Sequence, residues 1–146
     1  LQQMYAYIVI DTSPILTDII LSTIDNSDVV VLVTTQEIPA IKNARLFLDL
    51  VEPMGVNKER VLFAMNRYDK RIPITPERVS ENLKHEISAA IPLDEKTAIP
   101  AVNRGVPFML ENKAQPIGRG IFSLAEAVRA RLSALETEEE APAVRR

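Results

Sequence analysis

Side chains that could bind a ligand follow three short apolar runs in this chain. Asp11 ends the run Tyr-Ala-Tyr-Ile-Val-Ile-Asp, Asn66 and Arg67 follow Val-Leu-Phe-Ala-Met, and Pro92 and Asp94 follow Ile-Ser-Ala-Ala-Ile. In open parallel sheets, ligands bind beyond the carboxyl ends of the strands. A carboxylate there can hold a magnesium ion or its waters. The alternative for Asp11 and Asn66 is an ordinary turn residue, because both types are common in turns.

The elements that must position these side chains are predicted as parallel strands. The runs are apolar nearly throughout rather than alternating, which is typical of a parallel strand covered on both faces. If the strands are parallel, their carboxyl ends share one edge of the sheet, and the polar residues should gather there. The predicted strands are Tyr5–Asp11, Asp28–Thr34, Arg60–Asn66 and Glu86–Pro92.

Helical spacing fills the intervals between these strands. Apolar residues at steps of three and four predict a helix from about Pro39 to Pro53 and a final helix containing Ile121 to Leu132. Ile15 to Ile24 is apolar enough for a further helix, and Thr75-Pro76 is typical of a helix start. The alternation predicts an α/β fold, a parallel sheet with flanking helices.

The last third of the chain is expected to be less regular. A loop-rich stretch should follow Pro92 and include Gly118-Arg119-Gly120, directly before the final helix. The polar residues from Glu136 onward predict a disordered acidic tail. The expected organisation is therefore one domain over residues 1–135 and a tail over residues 136–146.

Composition restricts the classes of function. The net charge of −3 does not favour a broad basic surface for duplex nucleic acid, so no direct nucleic-acid partner is expected. The chain has no cysteine and one histidine, His85, which excludes thiolate chemistry and disfavours a His-based triad. The longest aliphatic run, Val29–Val33, is far below the roughly 18 residues of a spanning helix. A cytoplasmic protein without an integral membrane segment is expected.

Segments in a fixed order resemble the MinD/ParA family of deviant P-loop ATPases over about Tyr5 to Leu132. Tyr-Ile-Val-Ile-Asp-Thr-Ser-Pro resembles the family's switch II/Walker B strand and the turn after it. The resemblance implies a partial P-loop NTPase fold. The other matching segments are Val31–Ala44 (the next strand and helix start), Met65-Asn66-Arg67, Ile91-Pro92-Leu93-Asp94 and Ala101-x-Asn103-x-Gly105-x-Pro107.

The resemblance also implies roles for the candidate residues. Asp11 would be the catalytic-side carboxylate that holds magnesium through water. Asn66 would read adenine, and Arg67, Pro92 and Asp94 would lie on the adenine side; the alternative for Arg67 is a surface arginine. In the full-length protein the cofactors would be ATP or ADP with magnesium. Two subunits would form a homodimer around two ATP molecules, and hydrolysis would reset a switch that positions cellular machinery.

The sequence departs from the family pattern in its glycines. A P-loop needs a glycine-rich phosphate cradle with a lysine, but the glycines here are Gly55, Gly105, Gly118 and Gly120, and none lies in such a pattern. We therefore expect the C-terminal half of a longer ATPase domain. By itself this chain is expected to be inactive and to bind no nucleotide tightly.

Within the family, Asn66–Lys70 and Ile74–Glu77 resemble the CpaE/TadZ branch of pilus-assembly proteins, which often carry a response-regulator-like receiver domain. Partners would then belong to a pilus, secretion or localisation system, with peripheral placement at a cell pole or membrane through those partners. The acidic stretch Glu136–Glu140 disfavours the basic membrane-binding helix of MinD. The alternative is a non-catalytic α/β interaction scaffold, and a receiver-like signalling domain ranks last.

Overall fold

The computed structural model describes residues 4–111 and 113–140. In this part of the chain, three strands form one parallel sheet in the order β1 (Val30–Thr34), β2 (Val61–Tyr68) and β3 (Ile87–Pro92). β1 pairs with β2 in continuous register, from Val30 opposite Val61 to Thr34 opposite Met65. The pairing of β2 with β3 contains register shifts. The predicted α/β fold with a parallel sheet is confirmed.

Helices connect and flank the strands. The predicted N-cap at Thr75 is confirmed, since its side chain accepts a hydrogen bond from the Arg78 amide. The predicted helix over Ile15–Ile24 begins instead at Asp18, because Thr17 caps it. The helices are α1 (Asp18–Asp25), α2 (Ile38–Val51), α3 (Pro76–Leu83), α4 (Glu95–Arg104), α5 (Phe108–Glu111) and α6 (Pro116–Glu140).

The sheet has a separate apolar core on each face. Phe63 and Met65 of β2 are fully buried in the larger core, against residues of α1, α2 and α3. The smaller core joins Ala64 of β2, Ile91 of β3 and Ile117 of α6. β2 is thus covered on both faces, which is why its residues are apolar almost without interruption.

The prediction of a strand over Tyr5–Asp11 is wrong for this structure. The segment belongs to no strand, and its apolar side chains are exposed, with Val9 93% accessible. A strand exists only where a neighbour supplies hydrogen-bond partners, and the segment pairs with none of the described strands. Its apolar composition fits a strand, but composition cannot supply that neighbour.

The loop predicted for Gly118-Arg119-Gly120 is also wrong, because these residues lie in the first turns of α6. A Cβ at Gly120 would lie 3.0 Å from the Ile91 Cα and 3.1 Å from the Pro92 Cδ. The glycine is there because helix and strand approach too closely for a side chain. The expected loop-rich stretch after Pro92 is likewise mostly helical, since it contains α4 and α5.

Helix α6 includes the first residues of the stretch predicted as an acidic tail. Helix α6 continues through Glu140 and so contains Glu136–Glu140. Four of these five residues are glutamate, a good helix former, and a helix already nucleated by packing can extend through them. The rest of the predicted tail lies outside the described residues. Among the helices of the described part, none is both long and apolar enough to cross a membrane.

Candidate functional site

The carboxyl ends of β2 and β3 bring four of the five predicted site residues to one edge of the sheet. Tyr68 of β2 lies opposite Pro92 of β3 in the register, and the Leu93 amide donates a 2.9 Å hydrogen bond to the Tyr68 carbonyl. Asn66 and Arg67 immediately precede Tyr68, and Asp94 immediately follows Leu93. The parallel topology thus produces the cluster that the strand-end polar residues predicted.

Asn66 is half-buried at this edge. Its carboxamide oxygen accepts a 2.9 Å hydrogen bond from the Arg67 amide. Among the described residues, none bonds to its carboxamide nitrogen. The side chain therefore offers two N–H donors and one remaining lone pair on oxygen. That combination can meet an aromatic heterocycle that presents an acceptor next to a donor.

Arg67 has an unusual backbone for a residue at a strand end. Its φ is 56°, in the left-handed region that non-glycine residues rarely adopt. Such conformations persist where surrounding structure holds them and are concentrated at functional sites. Its exposed guanidinium pairs with Glu95 at 3.2 Å, which links the end of β2 to the start of α4. An exposed pair of this kind contributes little to stability.

Asp94 has a structural task in this site. It is the N-cap of α4: one carboxylate oxygen accepts from the Thr97 amide at 3.1 Å and the other from the Thr97 hydroxyl at 2.7 Å. The first turn of α4 is therefore fixed against the end of β3. The adenine-side role implied for Asp94 stays a prediction, as do those of Asn66, Arg67 and Pro92.

Asp11 is not tied to this cluster. It lies in the exposed segment that forms no strand, and within the described residues no hydrogen bond or ion pair joins it to the ends of β2 and β3. In the same part of the chain, no group of three or more acidic, cysteine or histidine side chains could hold a metal ion. Its magnesium role also stays a prediction.

Two further residues, Gln36 and Asp69, are candidates for the site although the sequence did not predict a role for them. Gln36, which follows β1, is buried, and its carboxamide bonds to Asp69 and Ile74 in the loop after β2. Asp69 in turn binds the Arg71 side chain and amide. The signal available in the sequence was the polar run at the end of β1, which contains Gln36, but a contact across 33 residues has no local signature.

The Asp69 carboxylate makes the fold sensitive to acid. The side chain of Arg71, and then its amide, lower the pKa of Asp69 from 3.8 to about 2. A pKa that is lower in the folded state gives stability above pH 3.8, and this is lost as the pH falls through about 2. We expect the melting temperature of Asp69→Asn to lie below that of wild type at neutral pH. The difference between the two melting temperatures should decrease as the pH is lowered. A gap that is constant over this range would contradict the prediction.

No protein-family model matches the sequence. A curated relative, the septum site-determining protein MinD of Thermotoga maritima, is 28% identical over 139 residues. The match covers 92% of this chain but 51% of the relative. The chain therefore spans about half the length of the curated relative it matches.

Solved structures decide the fold. A ParA family ATPase from Chlorobium tepidum superposes with a TM-score of 0.65 at 19% identity, covering 80% of this chain and 46% of its own. The chain has part of the MinD/ParA-type P-loop ATPase fold. MinD in the Aquifex aeolicus MinC:MinD complex also superposes on this chain, with a TM-score of 0.62 at 24% identity, covering 84% of this chain and 47% of its own. MinD of Pyrococcus horikoshii, solved in complex with Mg-ADP, superposes with a TM-score of 0.59 at 24% identity, covering 69% of this chain and 41% of its own.

Proposed function

We propose that this chain is the base-binding half of an ATP-binding, MinD/ParA-like ATPase domain that positions cellular machinery. The observation that carries the proposal is the cluster at the ends of β2 and β3, where Asn66 offers unpaired N–H donors beside the left-handed Arg67. Asparagine can pair with adenine through a donor and an acceptor together. The P. horikoshii protein with the same fold was solved with Mg-ADP, which supports a nucleotide as the ligand.

Each site residue has a defined task in this proposal. Asn66 reads the adenine edge, Arg67 packs on the base or reaches phosphate, and Pro92 forms a rigid wall where β3 ends. Asp94 holds α4 in place through its cap on Thr97, so that the loop between Pro92 and α4 keeps its shape. Nucleotide and magnesium, when bound, supply the phosphoryl chemistry.

Asp11 is proposed to hold the magnesium ion through water. Magnesium sites at nucleotides use one or two carboxylates together with substrate phosphates, so a single aspartate is a sufficient donor from this chain. No glycine-rich phosphate loop occurs in the sequence. The phosphate-binding groups and the catalytic lysine would therefore come from residues outside this sequence. This chain alone is expected to hold nucleotide weakly.

The finer assignment is to the CpaE/TadZ branch and to pilus assembly, based on Asn66–Lys70 and Ile74–Glu77. We propose a nucleotide-dependent homodimer that acts through protein partners of a pilus or localisation system. MinD of A. aeolicus has been solved in a complex with MinC, and this supports a protein partner for the present chain. Peripheral placement at a cell pole or membrane would follow from those partners.

The test is Mg-ADP binding to the protein of natural length that contains this chain. Asn66→Ala is expected to weaken binding by roughly tenfold or more, because a good side-chain pairing with a base contributes about 1–3 kcal/mol. Asp11→Ala should weaken binding only when magnesium is present. Isothermal titration with and without magnesium measures both effects. Asn43→Ala, on the exposed face of α2, is the matched control and should leave the dissociation constant unchanged.

The second candidate is a non-catalytic α/β scaffold that keeps the fold without nucleotide turnover. The absence of a phosphate loop from the sequence and the separation of Asp11 from the sheet favour it. It predicts that Mg-ADP neither binds to the natural-length protein nor raises its melting temperature. If Asn66→Ala and Asp11→Ala both bind Mg-ADP as tightly as wild type, the roles proposed for Asn66 and Asp11 are contradicted.

A further inference from the structure

Gln36 is a buried side chain that joins two distant parts of the chain. It is 5% exposed, directly after β1. Its carboxamide oxygen accepts a 2.6 Å hydrogen bond from the Asp69 amide. Its nitrogen donates to the Ile74 carbonyl at 2.7 Å and to the Asp69 carbonyl at 3.2 Å. One side chain therefore holds both ends of the segment Asp69–Ile74, which we call the β2–α3 loop.

The β2–α3 loop has other contacts as well: Ile74 packs against the larger core, and the Pro73 carbonyl accepts a 3.1 Å hydrogen bond from the Arg78 side chain of α3. Within it, the Ile72 amide donates to the Asp69 carbonyl at 3.0 Å, and Arg71 forms a fork on the Asp69 carboxylate. The contacts within the loop shape the turn, and neither of them reaches the end of β1. Among the residues that the structure describes, the side chain that bonds Asp69 to the end of β1 is that of Gln36. Gln36 is thus the hydrogen-bonding link between the β2–α3 loop and the end of β1.

The β2–α3 loop begins close to the candidate site. Asp69 is two residues after Arg67, whose φ of 56° requires the surrounding chain to hold it. Asn66 directs its carboxamide oxygen to the Arg67 amide at 2.9 Å, so the Asn66 side chain depends on that backbone conformation. If Asp69 shifts, we expect the backbone at Arg67 to shift with it, and with Arg67 the Asn66 side chain that is bonded to its amide.

We propose that Gln36 is a positioning residue that fixes Asn66 and Arg67 for recognition of an adenine base. The inference rests on the proposed function, because positioning has meaning only if a base binds. Gln36 itself touches neither base nor phosphate in this proposal. Its effect should therefore fall on discrimination between bases more than on the folding of the chain.

The first arm of the test uses this chain and needs no ligand. Gln36→Met keeps the length of the side chain and removes all three hydrogen bonds, while Gln36→Glu keeps an acceptor for the Asp69 amide. Hydrogen exchange of the Asp69 amide is expected to accelerate roughly fivefold or more in Gln36→Met, because the amide loses its buried hydrogen-bond acceptor. Gln36→Glu still offers an acceptor to the Asp69 amide but places a carboxylate oxygen against the Ile74 and Asp69 carbonyls, so it should lose protection as well. Gln115→Met, at an exposed glutamine, is the matched control.

The second arm compares ADP and GDP binding to the natural-length protein. Gln36→Met is expected to reduce the preference for ADP over GDP by about fivefold or more, while Gln115→Met retains it. A purely structural role would lower the melting temperature without changing that ratio.

The outcomes separate this inference from the proposed function. If wild type binds ADP with an adenine preference that Gln36→Met leaves intact, the positioning role is overturned and the proposed function stands. If wild type binds no ADP, both are overturned. If the Asp69 amide exchanges equally fast in wild type and Gln36→Met, the link described here is overturned whatever the nucleotide data show.

Discussion

Alanine at Phe63 is expected to lower the free energy of unfolding by about 3–5 kcal/mol. The Phe63 side chain is fully buried at the centre of β2, and its ring lies 4.9 Å from the His85 ring. The core on this face is closed by three helices, which cannot collapse together into the space that the ring leaves. Because domains are stable by only about 5–15 kcal/mol, this loss is a large share of the total. Urea unfolding measures it.

Phe122→Ala is the matched control for Phe63→Ala. It makes the same chemical change on α6, where the ring is 59% exposed. Exposed substitutions usually change stability by no more than about 0.5 kcal/mol. Equal losses in the two variants would contradict the assignment of Phe63 to the core and of Phe122 to the surface.

Valine at Gly120 is expected to destabilise the protein by about 1–3 kcal/mol, through overpacking between α6 and β3. Even one added carbon would lie 3.0 Å from the Ile91 Cα and 3.2 Å from the Ala90 carbonyl oxygen. These are backbone atoms, so they can move only if the strand moves. The branched side chain of valine needs more room than that first carbon, which forces α6 away from the sheet.

The Gly120 substitution should also disturb the candidate site. The added carbon would lie 3.1 Å from the Cδ of Pro92, the residue where β3 enters the site. Nuclear magnetic resonance shifts for Tyr68 and Leu93, which bond across that end of the sheet, should change with it. Ala125→Val is the control, because it introduces the lower helix propensity of valine at an exposed position of α6 without overpacking. If both variants lose the same stability, close packing at Gly120 is refuted.

Much of this architecture could be predicted from local patterns. The unbroken apolarity of Val-Leu-Phe-Ala-Met indicated a strand covered on both faces, and both faces of β2 are covered. Thr75-Pro76 indicated a helix start, and Thr75 caps α3. The strand-end position of Asn66 and Pro92 indicated a shared edge, because parallel strands place their carboxyl ends together. These features depend on residues close together in the chain.

Other features depended on partners that no local pattern reveals. The segment Tyr5–Asp11 has the composition of a strand, but pairing is a property of two strands, and it pairs with none of those in the described part of the chain. Gly118 and Gly120 suggest a loop, but a Cβ at Gly120 would lie 3.0 Å from the Ile91 Cα of β3, and one at Gly118 would meet the Lys113 backbone. The contact of Gln36 with Asp69 spans 33 residues and exists only because β1 and β2 end side by side.

The sequence by itself therefore determined the fold class, the main strands and helices and the edge where a site would form. Side-chain apolarity and capping chemistry act over a few residues, so they can be recognised in the sequence. Tertiary structure alone decided that Asn66 is supported by a left-handed Arg67 and a loop tied by Gln36. Those arrangements arise from the packing of the whole chain, because a buried polar group is stable only where the fold brings it a partner.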